Sequence, residues 1–102
     1  MNTVENKPEL GRYEIYADGQ LAGFEAYEAD GSKFAFLHTE IDPAFEGRGL
    51  GRELITRALD DVRAGGGTVE PFCPFVRRFI AAHPEYVELV PADRRSAFGL
   101  DR

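Results

Sequence analysis

The chain has 102 residues, 12 basic and 18 acidic side chains with a formal charge of −6, and 43% hydrophobic content including eight phenylalanines and four tyrosines. That is one domain with enough apolar side chains for a core, which excludes wholesale disorder and a second independent core. No apolar run approaches the ~20 residues of a membrane-spanning helix, and residues 1–8 have neither the basic nor the apolar region of a secretory signal.

Two near-identical turns punctuate the first forty residues, at Asp18-Gly19 and Asp30-Gly31. Asp-Gly between alternating segments predicts hairpins, because both residues tolerate positive φ. The flanking segments alternate accordingly. Tyr13, Ile15 and Ala17 share one face of a first strand, and Ala22, Phe24 and Ala26 share one face of a second. In the third, Phe34, Phe36, His38 and Glu40 point one way, while Ala35, Leu37, Thr39 and Ile41 point the other. The expectation is a three-stranded antiparallel meander.

After Asp42-Pro43 the period changes. Leu50, Leu54, Ile55, Ala58, Leu59 and Val62 recur at helical spacing until Gly65-Gly66-Gly67 ends the helix. A short strand follows at residues 68–72. Cys73-Pro74 then opens a second helix that runs to Ala82, with Pro74 suited to its first position. His83-Pro84 stops that helix, and residues 85–102 have room for one further short element.

The third strand, the first helix and the last strand form a β-α-β unit, which closes right-handed with its strands parallel. Ile41, Gly49 to Gly51 and Cys73 then all lie at the carboxyl edge of the parallel pair, where open α/β sheets bind ligands. The expected class is α/β (α+β) in one domain over residues 1–102, with its core over about residues 11–90.

Charge is unevenly spread. Residues 1–46 hold ten acids against three bases, which argues against a nucleic-acid footprint with its many cationic phosphate contacts. The single cysteine closes no internal disulfide and supplies no structural zinc site alone. Together these predict a cytoplasmic protein of a reducing compartment, with no metal, nucleic acid or membrane among its partners. Oligomeric state is left open.

The segment Glu46-Gly47-Arg48-Gly49-Leu50-Gly51-Arg52 leads straight into the first helix. Its alternating glycines let successive N–H groups open into one concavity, a nest that binds phosphate together with the positive end of the helix dipole. Arg48 and Arg52 can add charge-assisted bonds to a pyrophosphate. A P-loop would need Gly-Lys-Ser or Gly-Lys-Thr, and no lysine stands here. A dinucleotide turn would need its glycines directly after a strand, so NAD is a poor second choice.

Cys73 opens a helix, where the dipole favours its thiolate. It is a candidate proton donor, base or acyl-accepting nucleophile, with a buried small hydrophobe as the structural alternative. His38, whose ordinary pKa is about 6.5, is a candidate proton relay on the face shared with Phe34 and Phe36. Glu40 is a reserve base nearer the strand end. Packing and capping account for His83 and Tyr86.

The glycine turn resembles the acetyl-coenzyme A signature of GNAT-type N-acetyltransferases, Gln/Arg-x-x-Gly-x-Gly/Ala, with Glu46 where that signature carries Gln or Arg. Leu37-His38-Thr39-Glu40, Cys73-Pro74-Phe75-Val76 and His83-Pro84-Glu85-Tyr86 extend the resemblance to a small, minimal branch with Cys-Pro after the strand. It covers about residues 13–90. The resemblance implies acetyl transfer from acetyl-coenzyme A to an amine on a small molecule or peptide. It also implies a pyrophosphate held around Gly47 to Gly51, with Arg48 and Arg52 nearby and Ile41 lining the pantetheine arm. A non-catalytic acyl-coenzyme A binding or sensing module is the alternative, because the chain is short for that fold.

Overall fold

A computed structural model of the protein describes residues 1–101; the expected tail ends at Arg102, which lies outside the described residues. Five strands form one sheet in the order β1-β2-β3-β4-β5, namely β1 (Asn2–Lys7), β2 (Arg12–Ala17), β3 (Gln20–Asp30), β4 (Lys33–Ile41) and β5 (Thr68–Pro71). The helices are α1 (Leu50–Ala64) and α2 (Pro74–Ala82). None of the helices is long and apolar enough to cross a membrane.

The meander forms where the turn residues place it. Asp18-Gly19 is a two-residue loop with φ of 51° and 83°, as a twisted hairpin requires. The second loop is shifted by one residue. Asp30 pairs with Lys33, so Gly31 and Ser32 form the loop and only Gly31, at φ 61°, takes the left-handed region.

Strand β1 adds an antiparallel edge beyond the expected three strands. Its residues are mostly polar, and only Val4 is an apolar residue packed against the core. Polar edge strands discourage pairing with other chains but leave little alternation to read.

Helix α1 lies across the sheet and touches all five strands. Leu50, Leu54, Ile55, Ala58, Leu59 and Val62 are buried, the apolar stripe that its periodicity predicts. They meet Tyr13, Ile15, Phe36 and Val69 in the core. Helix α2 packs against α1, β4 and β5 through Val76, Phe79 and Ile80. The tail makes three 3₁₀ segments, Pro84–Leu89, Ala92–Arg94 and Ser96–Phe98, where one element was expected.

Strands β4 and β5 run parallel, but only Lys33 to Phe36 pair with Thr68 to Pro71. The Cys73 N–H still donates to the Phe36 carbonyl at 2.8 Å, and there the ladder ends. Beyond it β4 continues to Ile41, while the other chain leaves at Cys73 to become α2. The sheet therefore opens into a seam at its carboxyl edge.

Two of the expected strand faces are corrected. Ala26 pairs with His38 but Tyr27 pairs with Phe36, so Leu37 is an extra residue bulged out of β4. A bulge of one residue reverses the alternation beyond it. Phe34 and Phe36 therefore share the helix-covered face with Thr39 and Ile41, whereas His38 and Glu40 lie on the opposite face. A shift between Ile15 and Tyr16 does the same to the second expected face: Phe24 and Ala26 turn away from the helices, and Glu25 turns toward them.

Candidate active site

The chain between β4 and α1 makes a 3₁₀ turn at Pro43–Phe45, capped where the Ala44 N–H donates to Asp42 Oδ1 at 2.9 Å. Gly47 and Gly49 then take φ of 84° and 74°, and a Cβ at either would meet nothing within 4 Å. These glycines are needed for backbone direction and leave the space before the helix open. Gly49 caps α1 without a side-chain hydrogen bond, and the first main-chain bond of the helix is Glu53 N–H to the Gly49 carbonyl at 3.2 Å. The N–H groups of residues 47–52 have no acceptor among the described residues. They stand at the positive end of the helix dipole.

These amides border a cleft of about 360 Å³ lined by Ile41, Phe45, Glu46, Leu50, Arg52 and Phe75 together with the three glycines. The Phe75 ring, from the first turn of α2, comes within 3.1 Å of where a Gly51 Cβ would stand. Gly51 thus lets the two helix starts approach. Arg48 lies with its guanidinium 5.2 Å from the Phe45 ring centre, and both Arg48 and Arg52 are exposed. A wider hollow of about 480 Å³ lies at the other edge of the sheet. Its one charged side chain, Asp61, accepts a hydrogen bond from Tyr13 at 2.7 Å, so it offers no comparable set of free donors.

Cys73 occupies the N-cap of α2 and is 3% exposed, deep in the seam. Its Sγ lies 3.1 Å from Thr39 Oγ1. The Thr39 hydroxyl also donates to Glu25 Oε1. Glu25 is fully buried, and its second oxygen, Oε2, has no partner. Burial pushes its carboxyl up to about 8, although bonds from the Thr39 hydroxyl and the His38 main chain pull the other way.

The structure brings Ile41, Glu46, Gly47, Arg48, Gly49, Leu50, Gly51, Arg52 and Cys73 to one edge of the sheet. It does not bring His38 there. His38 Nε2 lies 3.1 Å from Glu40 Oε1, both side chains are more than 60% exposed, and Phe24 packs edge-on to the imidazole. The bulge at Leu37 is the physical reason. The same bulge turns Thr39 toward the seam, and the separate shift opposite Ile15 and Tyr16 turns Glu25 there, so unbulged alternation points to neither. A lone Glu25 between Phe24 and Ala26 carries no local mark of burial.

A model of the family described as GCN5-related N-acetyl-transferase matches residues 12–89. The chain belongs to the GCN5-related N-acetyltransferase family. Its antiparallel strands, crossing helix, parallel strand pair and second helix have the fold of this family. The NMR structure of a GCN5-like protein from Staphylococcus aureus matches over 87% of each chain, with TM-score 0.65 and 14% identity. The ribosomal-protein-S18-alanine N-acetyltransferase of Escherichia coli matches over 86% of this chain and 75% of that one, with TM-score 0.58 and 17% identity. A GNAT family acetyltransferase from Brucella melitensis, solved with acetyl-CoA, is 25% identical with TM-score 0.51, over 67% of this chain and 50% of that one.

The chain spans half of the Brucella chain, and 35% of an N-acetyltransferase from Thermoplasma acidophilum solved with coenzyme A. No curated protein matches the sequence.

Proposed function

We propose that this GNAT domain transfers an acetyl group from acetyl-coenzyme A to an amine on a small molecule or peptide, with Cys73 as its working thiol. One observation carries the reading: the partnerless amides at the start of α1 open at the same sheet edge to which α2 brings Cys73. Convergent N–H donors at a helix start suit a pyrophosphate. A site with left-handed glycines and open space in front of them also suits close approach by a bulky anion.

In this reading the main-chain N–H groups of Gly47 to Arg52 take the pyrophosphate, Glu46 borders the cleft, and Arg48 and Arg52 supply countercharge. Ile41, Leu50 and Phe75 give the pantetheine arm an apolar wall. Acetyl-coenzyme A supplies the acetyl group as an activated thioester. The protein's share is to keep water from the seam, to orient the acceptor amine and to hold a proton at Cys73 Sγ for a departing thiolate. With Cys73 only 3% exposed, that proton is kept from bulk solvent. His38 faces away from the seam and has no part in this assignment.

The test is release of free coenzyme A from acetyl-coenzyme A in the presence of a varied amine panel. Amine-dependent release is expected, falling at least tenfold in Cys73→Ser while coenzyme binding is kept. Binding with no release for any amine would instead establish an acyl-coenzyme A binding module. No binding at all would overturn the assignment of the cleft.

A further inference from the structure

The buried carboxyl of Glu25 has no place in the reading above, yet it sits at the end of a continuous polar chain in an otherwise apolar core. Glu25 Oε1 meets the Thr39 hydroxyl, whose oxygen lies 3.1 Å from Cys73 Sγ. A threonine hydroxyl has one proton to give and two lone pairs to accept with. While it donates to Glu25, only acceptance is left to it toward the thiol. An S–H···O–H···O sequence results.

We propose that Glu25 is the buried proton partner of Cys73, exchanging one proton with it through the hydroxyl of Thr39. In the forward direction the Sγ–H bond breaks and its proton passes to Thr39 Oγ1. The proton already on Oγ1 passes to the Glu25 carboxylate. One negative charge moves from carboxylate to thiolate, and the seam's net charge is unchanged. The reverse transfer restores the thiol. Glu25 is in this sense a positioning residue, acting on Cys73 only through Thr39.

Three features support the exchange. First, no cation pairs with Glu25 among the described residues, so one charge there is costly and two are costlier. Second, burial raises the carboxyl to about 8, so it can both take and give a proton near neutral pH. Third, the surroundings hold little else that titrates. Across the sheet Glu25 faces Tyr13, whose hydroxyl donates to Asp61 and is pushed well up by burial and that carboxylate. The buried side chains of α1 and α2 are all apolar.

The proposal extends the reading of Cys73 as the working thiol, but it can be tested without coenzyme or acceptor. The chain has one cysteine, so protein labelled with ¹³C-cysteine gives one Cβ resonance to follow against pH. The wild type is expected to titrate in two steps, the lower shared with the Glu25 carboxyl carbon, as coupled groups do. Glu25→Gln should leave a single step. Thr39→Val, which strips the anion of its donor, should raise the thiol midpoint by about one pH unit, a tenfold loss of thiolate, with Thr39→Ser restoring it.

A wild-type profile of one step, superimposable on that of Glu25→Gln, would overturn the proposal. So would a Glu25 carboxyl that is fully ionised by pH 6, and both readings need only the folded wild type or a near-isosteric variant. A Thr39→Val midpoint equal to that of the wild type would remove the relay. If coenzyme A release fails while the two-step titration holds, it is the acetyl-transfer reading that falls.

Discussion

A glutamate with no exposed surface has a direct consequence for stability. Glu25 takes up its proton at about 8 in the folded state and near the ordinary 4.5 in the unfolded chain. Between those values the native state binds more protons, so the contribution of Glu25 to stability is greatest below about pH 4.5 and falls as pH rises to about 8, where it levels. Glu14 acts in the opposite sense at the acidic end: burial raises it, but the Tyr16 hydroxyl and the Arg12 guanidinium outweigh burial and hold it below its usual range. The Glu25→Gln variant should therefore flatten the pH dependence of the melting temperature between pH 5 and pH 8 and melt above the wild type at pH 9. Thermal melts across that range, read by circular dichroism, check it; an unaltered slope would mean that Glu25 is ionised throughout.

Gly23 makes a second point at this scale. It pairs with Ile41, and a Cβ added there would stand 2.4 Å from the Glu40 carbonyl oxygen and 2.6 Å from Ile41 Cδ1. Backbone cannot yield as a flexible side chain can. Gly23→Ala is expected to cost about 1–3 kcal/mol by overpacking. Chemical denaturation would register this as a lower midpoint at unchanged slope.

The element that positions the site is α1, and its first turn has two separable requirements. Gly49 needs positive φ, whereas Gly51 needs only room beside Phe75. Gly49→Ala should cost roughly 1–2 kcal/mol for the left-handed backbone and should weaken coenzyme A binding by more than it weakens the fold. Isothermal titration beside a denaturation curve separates these losses. Strand β4 shows how a single residue decides an element's role. Because Leu37 is bulged, the β4 side chain that reaches Cys73 is Thr39, with His38 left in solvent beside Glu40. No residue type marks that bulge in the chain, since Leu37 is as compatible with a strand as either neighbour.

At the scale of the molecule, the short parallel pairing of β4 with β5 is what turns a sheet edge into a seam. Coenzyme A is expected to stabilise the fold by about 2.7 kcal/mol at a concentration one hundred times its dissociation constant. For a domain of this size that is a rise of about 10 °C or more in melting temperature. NAD at equal concentration should produce none. A shift with NAD alone would reassign the glycine turn to a dinucleotide.

Local physics made much of this legible from residues alone. Asp18-Gly19 demands a turn, the stripe from Leu50 to Val62 demands a helix with one buried face, and Gly47 and Gly49 demand an open backbone before it. Each rests on neighbours a few positions apart, and each stands where the chain order places it, as does Cys73 at the start of α2. The polar strand β1 and the face reversal at Leu37 were not legible, because both depend on which strand pairs with which residue. Nor was the contact of Glu25 with Thr39, or of Thr39 with Cys73, across 14 and 34 positions of chain. Register and burial are collective properties of the sheet beneath α1, and only the assembled fold brings a carboxyl, a hydroxyl and a thiol into one line.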